Sequence, residues 1–554
     1  MTALDWIIVL VLNGSVLGIG FYLARGTHSS QEWFLGRCSL AWWAIGLSMF
    51  ATNVDNADLV SLTGTSYKEG LHILMVHVVG SLVGVILAAF FLAPAISRAG
   101  QYTNAEYLES RFGPATRVLS AFIQLQYRSS ILGLMIWSIF LLLTGLVGMS
   151  TPMAWTFIVL LVIAAAIYTS WGGLRSVVVT DALQGIIMMA GMIVIFLAVW
   201  KAAGGWSGME AALEAQTLAE SGKPASDLLH MGRYHGDNGN TSPWIVALGW
   251  IIIAAGYWTV NHSQVMRLLG ARSLWDMKMA ALFGATISIP IMVCSASLGV
   301  FGRSLFPDFA QPDQLYPYLA NLYLGIGLKG LVVAAIVAAA VSTFDSIGSS
   351  LSAVFTRDIY ARLIAKKDAD DAHYVKVSRY ATFAVLASGF LYLPFIQSKD
   401  TMLKALLTLI PVFVTPLLTI YLVGIFTKAH RRSGLWGIVT GATYGMIALW
   451  DRESETGATW LAEWFTGRWV ALPWAMVFAG CGALTATLLF GKWNGDEPAA
   501  QENANQWLKE SSEDLAPIPE HPFPGEAPPI YLRPGLIAGV LLAITLIITA
   551  LFLW

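Results

Sequence analysis

The chain has 554 residues, of which 56% are hydrophobic and only 12% charged, and its net charge is −2. A water-soluble domain carries about 25% charged residues, so a soluble enzyme is excluded, and no basic cluster is large enough to hold nucleic acid. Cys38, Cys294 and Cys481 lie far apart with no CxxC pair, which supports neither a disulfide framework nor a thiolate metal site.

Each membrane crossing needs about 20 apolar residues, and about 14 such stretches are predicted, giving an all-α polytopic membrane protein. The first, 5–24, has Asp5 before it, Arg25 after it and no basic leader, so it reads as a retained helix; with its loop it fills residues 1–40. Five spans follow within 41–203, at 41–63, 70–97, 116–148, 152–171 and 176–203. An external loop is expected at 204–242. Five more spans fill 243–427, at 243–266, 276–304, 325–363, 374–397 and 401–427. Two additional helices occupy 428–492. Residues 493–533 form an acidic, Pro-rich internal linker, too polar to bury a core, and 534–554 is a last transmembrane helix. With the N-terminus outside, the inner segments hold most of the 32 Lys and Arg residues. That asymmetry places both termini outside in a plasma (cytoplasmic or inner) membrane.

Two predicted spans are interrupted by polar residues. In Ala41–Gly64 the run Asn53, Asp55, Asn56, Asp58 breaks an apolar stretch. In Trp244–Arg267, Gly256-Tyr257-Trp258 leads to Asn261, His262, Ser263 and Gln264. Interrupted spans at matching positions of two halves point to an inverted repeat with a site at mid-membrane; a pair of kinks without a ligand is the alternative. The stretch Leu331–Tyr360 is a spanning helix carrying Ser342, Thr343, Asp345, Ser346, Ser349 and Ser350. Such groups are costly in hydrocarbon and must face a partner, a cavity or an ion. Oxygen donors alone suit a hard cation.

Several ordered motifs resemble the sodium:solute symporter family, in particular its sodium/sugar cotransporter-like branch. They are Tyr168–Arg175 with Thr180–Gln184, Tyr316-Pro317 with Gly327–Leu331, Phe355–Tyr360, and Tyr102-Thr103 through Glu106–Leu108 to Arg111–Gly113. The resemblance spans roughly residues 5 to 490. It implies a leucine-transporter-type fold with a five-plus-five inverted repeat. It also implies a sodium site formed by the carbonyls of Ala51, Val54 and Ala339 and the hydroxyls of Ser342 and Thr343. Back-bonding of those hydroxyls to their own helix is the competing reading. Some members bind a second sodium, and the matching positions are Asp181, Ser342, Asp345 and Ser346. Asp345 departs from the family pattern there, which raises either tighter cation binding, proton coupling, or a salt bridge to a residue such as Arg128.

The solute position implied by the resemblance falls on Asn53, Asp58, His77, Tyr257, Trp258 and Asn261. Its polar set departs from the sugar-binding pattern: Asp58 and His77 stand where an amide and a carboxylate are usual, and Ala254 replaces an asparagine. The expected function is a sodium-coupled symporter importing a small polar organic solute, with a sugar or polyol favoured. An amino acid, amine or carboxylate solute, or proton coupling, is the alternative. Sodium is the expected coupling ion, and the expected partners are the solute and the lipid bilayer. No nucleic acid and no obligate protein partner are expected. A membrane-embedded enzyme would want a His-rich cluster, and the nine His residues are scattered.

Overall fold

The computed structural model describes residues 1–24, 36–75, 79–98, 101, 103–218, 222–232, 242–365, 371–399, 401–453, 463–492, 518–523 and 528–552. Among these the regular structure is helical, with two isolated backbone bridges and no strand. Helices satisfy their own backbone, which is what a hydrocarbon surrounding demands. Eight helices are long and apolar enough to cross a membrane, and a bent pair makes a ninth.

The first interrupted span is two helices, Trp42–Asn53 and Asn56–Glu69. Val54 and Asp55 between them are extended, with φ/ψ of −111°/111° and −124°/176°. The side chains of this run cause the break. Asp55 accepts from the Asp58 amide at 2.9 Å, and Asp58 accepts from the Asp55 amide at 3.4 Å. This reciprocal cap starts the second helix and stops the first. The second interrupted span is Pro243–Val260 and His262–Leu269, bent by 52°. There Asn261 is the cap, accepting from the Ser263 amide at 3.1 Å, a role to which asparagine is suited.

A third irregularity lies in Thr151–Ala202, whose 52 residues exceed one crossing. Gly173 kinks it at φ 69°, a left-handed conformation that favours glycine. The polar helix, Leu328–Val354, runs through the centre and continues into a π-helical stretch, Phe355–Ile364. It packs along Thr151–Ala202 and the first broken helix.

Charge gathers at one end of the polar helix. Arg117 pairs with Glu106 at 3.1 Å, Glu109 at 2.6 Å and Asp358 at 2.6 Å, while Arg357 reaches Glu106 at 2.7 Å and Arg362 reaches Glu109. The short helix Asn104–Phe112 thereby staples the end of the polar helix, and Asn104 donates to the Val260 carbonyl of the second broken helix at 2.8 Å. On the opposite side Asp313 accepts from the Met402 amide at 2.8 Å and lies over Gly64. Burial pushes its carboxyl up to about 7, with the Met402 amide opposing the shift and the Glu69 charge adding to it.

Helix Leu274–Leu305 crosses both halves of the first broken helix at glycines. A methyl group on Gly284 would meet the Gly46 carbonyl at 2.8 Å. On Gly299 it would meet the Thr63 carbonyl at 2.3 Å and the Tyr67 amide nitrogen at 2.6 Å. Backbone cannot yield as a side-chain tip can, and small residues are what let membrane helices approach this closely. Gly299→Ala is therefore expected to cost about 1–3 kcal/mol through overpacking. Gly539→Ala, which faces open space, is expected to be neutral. Thermal unfolding in detergent checks both, and equal midpoints for the two variants would contradict the crossing.

Candidate functional site

The reciprocal cap has a chemical consequence. In an unbroken helix the amides of residues 55 and 58 would bond the carbonyls of Ala51 and Val54. Here both amides are taken by the Asp58 and Asp55 side chains, so the two carbonyls lose their helical donors. The polar helix faces them. Ser342 Oγ lies 2.6 Å from Asp181 Oδ1 and 3.3 Å from the Ala51 carbonyl; its single proton goes to the closer carboxylate. Thr343 Oγ1 is fully buried and has no hydrogen-bond partner.

Neither hydroxyl back-bonds to its own helix. That sets them apart from Ser350 and Ser352, which donate to the Ser346 and Ser349 carbonyls at 2.7 and 2.8 Å. A buried hydroxyl without a partner costs free energy, and a cation among freed carbonyls would relieve it. Ala51, Val54, Ala339, Ser342 and Thr343 supply only oxygen, which fits a hard monovalent ion. Among the described residues no group of three or more His, Cys, Asp or Glu side chains is arranged to hold a metal ion.

Around Asp181 the arrangement differs from a second cation cage. Arg267, from His262–Leu269 of the second broken helix, enters it fully buried. One guanidinium nitrogen, Nη2, donates to Asp181 Oδ2 at 2.7 Å and also reaches Ser346; Nε donates to Ser48 at 2.7 Å, and Ser48 in turn donates to Asp181 at 2.7 Å. The charge that would balance Asp181 thus comes from the protein itself. Asp345 is also buried, and its carboxylate oxygens accept no hydrogen bond. Arg128 is not its partner: it lies over the Tyr127 and Tyr257 rings at 5.8 and 5.9 Å, on the wall of a cavity.

That cavity, about 110 Å³, sits beside the first break. Asn53, Asp55, Asp58, Tyr127, Arg128 and Tyr257 form its polar wall, and Leu403, Leu406 and Ile410 form an apolar one. Trp250 and Trp258 complete it, the Trp258 indole N–H buried without a partner. Tyr257 Oη donates to the Thr52 carbonyl at 2.8 Å and accepts from Gln264 at 3.0 Å. Thr52 Oγ1 in turn is 3.0 Å from Ser346 Oγ. One residue of the broken helix therefore touches both the Asp181–Arg267 cluster, through Ser346, and a tyrosine of the cavity wall.

Of the residues expected to meet solute, Asn53, Asp58, Tyr257 and Trp258 line the cavity. Asn261 does not; its side-chain oxygen serves the helix cap, and its amide nitrogen is buried without a partner. His77 lies outside the described residues. Asp55, Tyr127 and Trp250 were not anticipated, and Arg128 was weighed only as a partner for Asp345. Arg267 was counted only as an inner basic residue.

The family model for the sodium:solute symporter family matches residues 33–441. The chain belongs to that family. The symporter is 27% identical to zebrafish (Danio rerio) sodium/glucose cotransporter 4, over 81% of this chain and 72% of that one. It is 26% identical to the sodium/glucose cotransporter of Vibrio parahaemolyticus, over 81% and 85%. It is 29% identical to human sodium/myo-inositol cotransporter 2, over 78% and 68%. Among solved structures, a substrate-bound, outward-open Na⁺-coupled sialic acid symporter superposes with a TM-score of 0.72 at 21% identity, covering 89% of this chain and 99% of that one. That likeness bears on the fold. This symporter is a sodium-coupled membrane transporter and not an enzyme.

Breaking the Asp181–Arg267 pair should be costly, because either partner alone is left as an uncompensated buried charge. Asp181→Asn and Arg267→Gln are each expected to lose about 3–5 kcal/mol. The double variant should recover part of that loss, and additive losses in a thermal-unfolding cycle would contradict the pairing.

Proposed function

We propose that this symporter couples inward movement of one sodium ion to import of a small polyhydroxylated solute, a sugar or polyol, by alternating access. The observation that carries the reading is the Ser342 hydroxyl 3.3 Å from the freed Ala51 carbonyl, with its neighbour Thr343 buried without a partner. Sodium there neutralises oxygen dipoles from two elements at once and orders the break. Asp55 and Asp58 offer acceptors to solute hydroxyls, and Arg128, Asn53 and Trp258 offer donors. The tryptophans suit stacking on a sugar ring. Coupling runs through the first broken helix, whose Ala51 carbonyl faces Ser342 and whose Thr52 carbonyl holds Tyr257 of the cavity wall; a ligand shifts a conformational equilibrium only through differential affinity for its two states.

The proposed architecture is about 14 crossings around a five-plus-five inverted repeat, the two breaks being its related elements. Both termini would lie outside a plasma or inner membrane. One sodium, rather than two, is supported by the Arg267 guanidinium, which already holds Asp181 and Ser346.

A second reading, a solute carrying a carboxylate, is favoured by Arg128. It is buried on the cavity wall with an unpaired Nε, and a guanidinium is suited to carboxylate recognition. Thermal-shift screening separates the two, since a ligand of the native state raises stability by mass action. Neutral polyols should shift the midpoint under the first reading and sugar acids under the second. In proteoliposomes an inward sodium gradient should drive uptake above equilibrium. Asp58→Asn, whose amide oxygen can still accept from the Asp55 amide and so keep the cap, should weaken solute affinity about tenfold or more, the loss of about 1.4 kcal/mol, with a smaller effect on sodium binding. Uptake indifferent to the sodium gradient would overturn the proposal.

A further inference from the structure

The acidic linker reads from its composition as a tether, with a regulatory tail as the alternative, and part of it is docked. Helix Leu274–Leu305 begins at the inner end of the molecule, directly after the second broken helix. The first amides of any helix have no intrahelical partner. Here the Leu274 amide donates to the Pro519 carbonyl at 2.9 Å and the Trp275 amide to the Glu520 carbonyl at 3.0 Å. The Trp275 ring meets Phe523 edge-on at 5.4 Å, and its indole N–H donates to the Leu532 carbonyl at 2.8 Å. Ile518 packs on the apolar cluster that contains Leu40, Ala44 and Leu274. Proline at 519 and 522 restricts the segment to extended conformations, so seating it costs less chain entropy.

The same helix start grips the first broken helix. Trp42, its first residue, packs edge-on against Trp275 at 6.3 Å, and its amide donates to Asp276 at 3.3 Å. The Leu40 amide donates to the Gly270 carbonyl at 3.1 Å, and the Arg272 amide returns to the Leu40 carbonyl at 3.3 Å. The last helix, Pro534–Phe552, also packs on Leu274–Leu305 and on Ser81–Ile86. Helix Ala471–Phe490, which the chain leaves just before the linker, packs instead on Met402–Phe426 and Ser433–Glu453. The linker thus joins two groups of helices and is seated on the group that carries the sodium-facing break.

We propose that Ile518–Phe523 is a strap that clamps the inner end of the first broken helix and limits the rate at which the inner side opens. The strap acts through Trp275 and the Leu274 and Trp275 amides, with Trp42 as the gripped end. It rests on the alternating-access reading for its consequence in transport, but the clamp itself is a property of the closed state.

Two variants loosen the strap without touching the sodium or solute residues. Phe523→Ala removes the ring contact. Leu274→Pro removes one amide donor at the first helical position, where proline is accepted, after an extended Ser273 at φ −153°, ψ 162° that suits the residue before proline. Hydrogen exchange on the full-length protein in lipid nanodiscs reads the clamp directly. The amides of Leu40, Trp42 and Arg272 should exchange about fivefold faster in either variant, the effect of losing roughly one net hydrogen bond. Phe523→Tyr should restore the slow exchange. Faster exchange confined to 518–533, or no change anywhere, would overturn the proposal and leave the segment an anchor for the last helix. If Leu274→Pro does not fold, Phe523→Ala with its tyrosine rescue decides alone. Because exchange needs no transport, this result stands apart from the sodium-uptake test; solute counterflow, expected to quicken in Phe523→Ala, then reads the clamp's role in transport.

Discussion

Two aspartates exchanging hydrogen bonds with each other's backbone create the opening on which the rest of this molecule depends. Asp55 and Asp58 cap one helix and, by occupying two amides, deny them to Ala51 and Val54. A carbonyl without a donor is expensive in a membrane interior unless it lines a cavity or meets an ion. The surroundings are arranged accordingly. The polar helix brings Ser342 to the Ala51 carbonyl, the kinked helix brings Asp181 to Ser342, and a cavity lies beside the same break. Both carboxylates of the cap also line that cavity, so the residues that unwind the helix are among those that would touch solute.

The second constraint is electrostatic. Asp181 is buried where a lone charge would be prohibitive, and Arg267 compensates it within a ring of serine hydroxyls. Such pairs add little net stability but fix geometry, since removing one member leaves the other stranded. Arg267 comes from the second broken helix, Asp181 from the kinked helix and Ser48 from the first broken helix. The pair therefore registers three elements against one another. The charged staple of Arg117, Glu106, Glu109 and Asp358 does the same at the end of the polar helix.

Much of this was legible in the sequence, because polar residues inside apolar spans are conspicuous. The Asn53–Asp58 run, the Gly172-Gly173 turn and the Ser342-Thr343 pair each announced an irregularity or a site. Partnerships were not legible. Arg267 and Asp181 are 86 residues apart, and nothing in either neighbourhood names the other. Arg128 looked like a stray charge within a span until the fold set it against two tyrosine rings. Asn261 carried a local signal, an asparagine before a helix start, that marked a cap rather than a ligand. The docked segment was hidden for a different reason: composition marks 493–533 as solvated, and two backbone carbonyls with the isolated Ile518 and Phe523 side chains make no periodic apolar pattern.

The central claim is that the broken helix and the polar helix together hold one sodium ion. Equilibrium binding of radioactive sodium to the purified protein, counted per chain, tests it most directly. The account predicts one ion per chain in the native protein and a loss of binding in Ser342→Ala/Thr343→Ala, with Arg267 unaltered. Two ions per chain, or one ion bound as tightly after both hydroxyls are removed, would contradict it.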